Sequence, residues 1–151
     1  MSATLQFTVR IHATRPHVWH VMLDDPTYRA WTSAFCEGSY YEGSWDEGAR
    51  IRFLSSDGRG MASMIEAHRP HEFLAIHHLA EIDQGVERPF GPGMAVWGEA
   101  RETYRLRDVD GVTEMMVECG SSPEFDTYLR EAWPKALAIL KDLCEAGPDA
   151  V

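Results

Sequence analysis

Two apolar segments of the chain carry side chains that are able to exchange protons. In FLAIHH, Leu74 and Ile76 alternate with other residues and place His78 on their own side of a strand. The same alternation puts Glu102 and Tyr104 on one side of ETYRL. Imidazole, carboxylate and phenol groups in an apolar pocket can orient a ligand or act as general acids and bases. The spacing therefore predicts a cluster of candidate catalytic residues, His78, Glu102 and Tyr104, if both strands turn these sides inward.

Two other interpretations of this cluster stay open. A one-residue change of register would move all three side chains to the outside of the sheet. If they are buried, they can also serve only to satisfy one another's hydrogen bonds. The chain contains no Gly-x-Ser-x-Gly motif, phosphate-binding loop or dinucleotide fingerprint, so we expect no cofactor.

The seven histidines of the chain do not predict a metal site. His17 and His20 are three apart on a predicted helix, but no cysteine or carboxylate stands near them at a recognisable ligand spacing. His77 and His78 are adjacent in a predicted strand, so they point to opposite faces and cannot bind one ion together.

Composition and charge narrow the class of protein and its partners. The 151 residues are 44% hydrophobic and 25% charged, which is typical of one globular domain, residues 1–151. A formal net charge of −10 and the lack of a basic run disfavour nucleic acid and anionic membranes as partners. The N-terminus does not resemble a signal peptide, so we expect a cytoplasmic protein. Cys36, Cys119 and Cys144 have spacings typical of reduced, packed thiols.

The order of periodic segments predicts an α+β fold. Residues 5–11 alternate as a half-buried strand, and two short helices follow with Thr14 and Asp25 as predicted N-caps. Six more strand-like segments separated by short turns extend to Cys119, and short turns favour antiparallel neighbours. One connection, residues 80–96, is long and contains three glycines and two prolines, so we expect a mobile flap there.

The last element predicts a long amphipathic helix that ends near Ala146. Ser121 or Ser122 can cap it, and its apolar stripe needs a surface to cover, which the buried face of the sheet provides. Pro134 stands inside this helix and should kink or divide it, because proline lacks an N–H and crowds the preceding turn.

Several segments of the chain resemble those of a known superfamily. ATRPHVWHVMLDDPTYRAWT resembles the helix-pair signature, EGSWDEGARIRF the second hairpin and IEAHRPHEFLAIHH the turn between middle strands of the SRPBCC (START and birch-pollen-allergen-like) superfamily. WPKALAILKDLCE resembles the closing helix of its subgroup of homologues of the activator of the ninety-kilodalton heat-shock protein's ATPase. The resemblance implies a helix-grip fold, in which a curved antiparallel sheet of about seven strands wraps the long C-terminal helix.

The resemblance also implies an apolar cavity between sheet and helix, with Phe90 and Met94 of the flap at its mouth. We expect the ligand-binding residues to be Phe53, Ile76, His78, Phe90, Met94, Glu102, Tyr104, Trp133 and Leu137. The alternative is an interior filled by the side chains themselves.

Three functions are compatible with these features. The first is a non-enzymatic domain that binds a small apolar or amphipathic molecule. The second resembles the superfamily's polyketide cyclases and dehydratases, with His78, Glu102 or Tyr104 as acid–base groups. The third is a chaperone-interaction module, and a homodimer is possible with any of them.

Overall fold

One antiparallel sheet dominates the protein. The computed structural model describes residues 3–89, 101–121 and 126–146. Within them the strands are β1 (Ala3–Ile11), β2 (Tyr40–Gly43), β3 (Arg50–Leu54), β4 (Arg59–Arg69), β5 (Phe73–Asp83), β6 (Val86–Pro89), β7 (Arg101–Val109) and β8 (Val112–Ser121). Their order across the sheet is β1-β8-β7-β5-β4-β3-β2, and β6 pairs with the end of β5.

Three helices accompany the sheet in the described part of the chain: α1 (Arg15–Leu23), α2 (Asp25–Thr32) and α3 (Asp126–Glu145). Thr14 caps α1 as predicted, since its hydroxyl accepts a hydrogen bond from the backbone N–H of His17 at 3.4 Å. The N-cap of α2 is Asp24 and not Asp25, because Asp25 already has helical geometry. The predicted α+β helix-grip architecture, with two short helices after the first strand, is confirmed.

The two strands that carry the candidate residues are neighbours. Ile76 of β5 pairs with Glu102 of β7, and Leu74 pairs with Tyr104. Because paired residues share a face, these side chains and His78 lie together on the side that faces the helices. The register is therefore the one in which the polar cluster points inward.

An irregularity in β5 curves the sheet beside this cluster. His78 pairs with Ser63, but the next pair along is Ala80 with Ala62, so Leu79 is an extra residue of the kind found in a β-bulge. The extra residue reverses the alternation of inward and outward side chains in the rest of β5. Ala80 and Ile82 consequently lie on the outer face, in a separate small apolar cluster, and a second irregularity follows in β4.

The first ten residues of the predicted flap form regular structure. Residues 80–89 form a hairpin in which Gln84 and Gly85, at φ 51° and 81°, make a two-residue turn. This adds β6 to the seven strands expected. The turn was missed because Gln-Gly is a weaker signal than Asn-Gly, although Gly85 accepts the same positive φ. Phe90 and Met94 lie outside the described residues, as does the predicted cap Ser122, whereas Ser121, the alternative cap, is the last residue of β8.

Helix α3 covers the sheet without closing on all of it. Its backbone approaches β1, α1 and α2. The helix continues through Pro134, whose side chain is exposed, so proline does not divide it, and the kink that was the other predicted effect stays a prediction. The buried stripe is made of Ala132, Trp133, Ala136, Leu137, Leu140 and Cys144. Because the helix lies close to one side of the sheet and to the short helices, room remains over the middle strands.

Candidate functional site

A cavity of about 730 Å³ lies between the inner face of the sheet, α2 and α3. Such a volume is in the range of sites that bind small molecules. Most of the side chains on its wall are apolar. Its aromatic members, among the described residues, are Tyr28, Trp31, Phe35, Trp45, Phe53, Tyr104, Tyr128 and Trp133.

The structure brings together most of the residues predicted to bind a ligand. Six of the nine line the cavity, namely Phe53, Ile76, His78, Glu102, Tyr104 and Trp133. Leu137 does not line it. This leucine is buried in the core one turn after Trp133, because the apolar stripe of α3 is longer than the cavity it covers. The remaining two predicted residues, Phe90 and Met94, are not described.

Four side chains form a connected polar row along the inner face of the sheet: Ser63, His78, Glu102 and Tyr104. The hydroxyl of Ser63 lies 2.8 Å from Nδ1 of His78, and Nε2 of His78 lies 3.5 Å from one carboxylate oxygen of Glu102. The hydroxyl of Tyr104 donates a short hydrogen bond to the other oxygen of Glu102. Each carboxylate oxygen of Glu102 therefore lies beside one polar group of the row, the phenol of Tyr104 or the imidazole of His78.

The polar row has one buried end and one accessible end. Ser63 is 0% exposed and is not part of the cavity wall, so it holds the imidazole and does not meet a ligand. The side chain of His78 is 5% exposed and that of Glu102 is 21% exposed. In the neutral tautomer of His78 that carries its proton on Nε2, this nitrogen can donate towards Glu102 while Nδ1 accepts from Ser63. Glu102 is thus the member of the row that a bound molecule can reach most easily.

Burial and the Glu102 carboxylate keep the neighbouring acidic groups protonated. The pKa of Tyr104 is raised well above that of an ordinary phenol by burial, by the charge of Glu102 and by the hydrogen bond to it. The pKa of Tyr28 is also raised, first by burial and then by Glu102. The same two causes, with burial the larger, raise the pKa of Cys119 to about 12. These groups are donors at neutral pH, and Cys119 is a poor nucleophile because it is protonated.

Aromatic packing makes the wall of the cavity rigid. Tyr28 and Trp31 are three apart on α2, so both point from one side of this helix into the interior. The indole of Trp31 donates to the backbone carbonyl of Met22 at 3.0 Å. The ring of Tyr28 packs edge-on against that of Tyr41 at 4.9 Å, and Trp133 packs edge-on against Phe35 at 4.8 Å.

The indole N–H of Trp45 is a buried donor with no hydrogen-bond partner among the described residues. Its ring lies 5.0 Å from that of Tyr41 and 5.7 Å from that of Phe53.

Charged groups stand at one end of the cavity, where β3 turns into β4. Asp57 accepts hydrogen bonds from Ser55 and from the backbone N–H of Arg59. The bonds from Ser55 and Arg59 lower the pKa of Asp57. Glu81 of β5 lines the same end. Asp57 was missed from the sequence because SDGRG was identified only as a turn, and Glu81 was missed because it was assigned to the flap.

Some residues of the site could have been found from the sequence and others could not. Ser63 follows from the alternation of GMASMIEAH once β4 is paired with β5, whereas Phe35 and Trp45 lie outside the elements whose patterns were interpreted. No three His, Cys, Asp or Glu side chains within the described ranges are grouped in a way that could hold a metal ion. Of the helices described, none has the length and apolar character needed to cross a membrane.

Comparison with known proteins identifies the fold. No protein-family model and no curated protein sequence matches the chain. The Aha1 dimer from Colwellia psychrerythraea is 17% identical over 97% of this chain and 98% of its own, with a TM-score of 0.74. DynU16, from the dynemicin biosynthetic locus, is 16% identical over 98% of this chain and 49% of its own, with a TM-score of 0.71. CalU16 from Micromonospora echinospora is 18% identical over 96% of this chain and 69% of its own, with a TM-score of 0.66. Likeness at these identities shows the fold alone, and the SRPBCC-like helix-grip fold expected from the resemblance is confirmed.

Proposed function

We propose that this protein is a binding domain that holds one small, mostly apolar molecule between its sheet and α3. The observation that supports this most strongly is the cavity of about 730 Å³, because packed interiors rarely leave voids larger than a water molecule. An unfilled space of this size lowers the stability of the folded state, and a ligand that fills the space offsets this loss. A wall of aromatic side chains with a few convergent polar groups is typical of small-molecule sites.

The contribution of each part of the wall follows from its chemistry. Phe53, Ile76 and Trp133 supply apolar surface that a ligand shields from water, at about 25 cal/mol for each Å² removed from contact. Glu102 and Tyr104 supply hydrogen-bonding groups that fix the orientation of the ligand. His78 acts through Glu102, which it positions, since His78 itself is almost completely buried.

Thermal shift measurements with a panel of lipophilic compounds test the proposal. A ligand at one hundred times its Kd should stabilise the folded state by about 2.7 kcal/mol, which raises the Tm of a chain of this length by several degrees. Trp133→Phe keeps the helix and an aromatic ring but enlarges the cavity, so it should change the ranking of the compounds. A Tm that stays constant across the whole panel, with both proteins folded by circular dichroism, would overturn the proposal.

A second function, acid–base catalysis on a bound molecule, is favoured by the polar row itself. A carboxylate joined to an imidazole and a phenol, at 3.5 Å and by a short hydrogen bond, can take a proton from carbon or oxygen and return it elsewhere. This is the cyclase or dehydratase chemistry expected from the resemblance. Its test is kcat for Glu102→Gln and Tyr104→Phe on any substrate found. Loss of kcat by at least about 100-fold with an unchanged Kd would support it, and full activity in both variants would exclude it.

Other predictions from the sequence have separate tests. The homodimer is tested by sedimentation at micromolar concentration, and chaperone interaction by a binding titration with the purified heat-shock ATPase. The cytoplasmic location stays a prediction.

A further inference from the structure

We propose that the molecule bound in this cavity presents a hydrogen-bond donor, as an alcohol, a phenol or an amine, to Glu102, and that ligands with a carboxylate or phosphate head are rejected. This inference rests on the proposed binding function and specifies the chemical class of the ligand. It depends on three features of the cavity: the supply of acceptors, the position of cations and the ring faces around Glu102.

The accessible end of the polar row offers acceptors only. The hydroxyl of Tyr104 already donates its hydrogen bond to one oxygen of Glu102, and Nε2 of His78 faces the other. Ser63 is shielded from the cavity. What remains for a ligand are the free lone pairs of the Glu102 carboxylate and of the Tyr104 oxygen. A group that carries its own hydrogen satisfies these lone pairs, whereas a second carboxylate cannot.

No arginine or lysine stands near Glu102 to accept an anionic head group. Among the described residues of the wall, Arg59 is the one such side chain, and it belongs to the rim with Asp57 and Glu81. Arg59 pairs with Asp83, which is seven residues along β5 from Ile76, the partner of Glu102. At about 3.3 Å per strand residue this places Arg59 roughly 20 Å away.

The residues outside the described ranges cannot add a side-chain cation. Residues 1–2, 90–100, 122–125 and 147–151 contain no lysine, arginine or histidine. A ligand carboxylate beside Glu102 would therefore meet a like charge in a space of low polarity, with no side-chain cation from those ranges to compensate it.

Aromatic rings around Glu102 favour a polarised N–H or O–H further. Glu102 is close enough to Tyr28 and Tyr104 to influence both phenols electrostatically. The ring of Tyr104 lies 6.1 Å from that of Trp133. The faces of these rings carry partial negative charge, which attracts ammonium groups and polarised hydrogens and repels anions.

A matched set of fluorescent ligands tests the inference. The four compounds are 9-methylanthracene, 9-anthracenemethanol, 9-(aminomethyl)anthracene and anthracene-9-carboxylate, which share one ring system and differ in the head group. Kd values are measured by fluorescence titration at pH 7 with the intact protein, with Glu102→Gln and with the control Glu118→Gln. Glu118 lies beside Cys119 in β8 but on the other face of the sheet, so its replacement changes the net charge equally without touching the cavity.

We expect the alcohol and the amine to bind roughly 10- to 100-fold more tightly than the carboxylate, because a hydrogen bond to a charged group contributes an advantage of this size. Glu102→Gln should reduce the advantage of the amine by about tenfold or more while 9-methylanthracene keeps its Kd. Glu118→Gln should leave all four values unchanged.

Each opposite result has a distinct meaning. If 9-methylanthracene binds but the carboxylate binds as tightly as the amine, the inference is wrong and the binding function stands. If the preference for the amine is the same in Glu102→Gln, another group provides it and the inference is again wrong. If none of the four compounds binds, both the inference and the binding function on which it rests are overturned.

Discussion

Replacing Pro134 with alanine is expected to stabilise the protein. Pro134 is inside α3, with its side chain exposed, and the helix runs through it from Asp126 to Glu145. It provides no N–H for the carbonyl of Arg130, and its ring crowds that carbonyl. Alanine removes both defects and leaves the buried neighbours Trp133 and Leu137 in place.

The size of the effect follows from helix propensity and from the packing of α3. Proline in a helix interior is about 3 kcal/mol less favourable than alanine. Tertiary packing of the stripe holds the axis of the helix, so only part of this is recovered, and we expect a gain of about 1–2 kcal/mol. For a chain of this length each kcal/mol raises the Tm by about 2–4 °C, which predicts an increase of roughly 2–8 °C.

The assay is urea unfolding followed by far-UV circular dichroism, with Pro26→Ala as a matched control. Pro26 is also exposed but stands in the first turn of α2, where its missing N–H has no intrahelical partner in any case. Replacing Pro26 with alanine increases the conformational entropy of the unfolded chain, so it should lower the free energy of unfolding by about 0.4–1 kcal/mol. The same substitution thus has opposite signs at the two positions. A loss of stability in Pro134→Ala would show that the packing of α3 requires a proline at this position, and it would refute this reasoning.

Three further predictions concern the polar row, the thiols and an ion pair. Ser63→Ala leaves Nδ1 of buried His78 without its partner and should lower the free energy of unfolding, measured in urea, by about 1–3 kcal/mol. A decrease of less than about 0.5 kcal/mol would contradict the hydrogen bond between Ser63 and His78. Iodoacetamide at pH 8 should modify half-buried Cys36 before Cys119, whose pKa of about 12 leaves little thiolate; equal labelling by mass spectrometry would argue against it. The hydrogen bond and ion pairs with arginines lower the pKa of Glu114 in the folded protein. The stability that they provide is therefore fully present above the pKa of the unfolded chain, about 4.5, and it is lost as the pH falls through the lower pKa of the folded state. Glu114→Gln should therefore destabilise more at pH 6 than at pH 3, and equal losses at both would disprove the linkage.

Patterns that depend on one face of one element were predictable from the sequence. The alternation in FLAIHH and ETYRL placed His78, Glu102 and Tyr104 on one side because a strand has a fixed period of two. Pairing in the structure adds that the two sides coincide, with Ile76 opposite Glu102. The apolar stripe of the last helix was predictable for the same reason, at the helical period.

Features that depend on pairing between distant segments were not predictable in this way. The extra residue Leu79 has no local signature, yet it decides that Ile82 faces outward while His78 faces inward. Ser63 enters the polar row only because β4 lies beside β5, a fact that no periodicity contains. The extent of the cavity along α3 depends on how closely the helix approaches each strand, so Leu137 was assigned to the wall although it belongs to the core.

The incompletely filled interior has a consequence for the response of this protein to hydrostatic pressure. Unfolding under pressure is favoured when it eliminates internal void, and the magnitude of the volume change scales with that void. Any part of the cavity of about 730 Å³ that water does not fill is lost on unfolding, and that part makes the fold more easily unfolded by pressure than a solid domain of equal length. An occupant that displaces this space removes the volume advantage of the unfolded chain, so the ligand protects against compression in addition to heat.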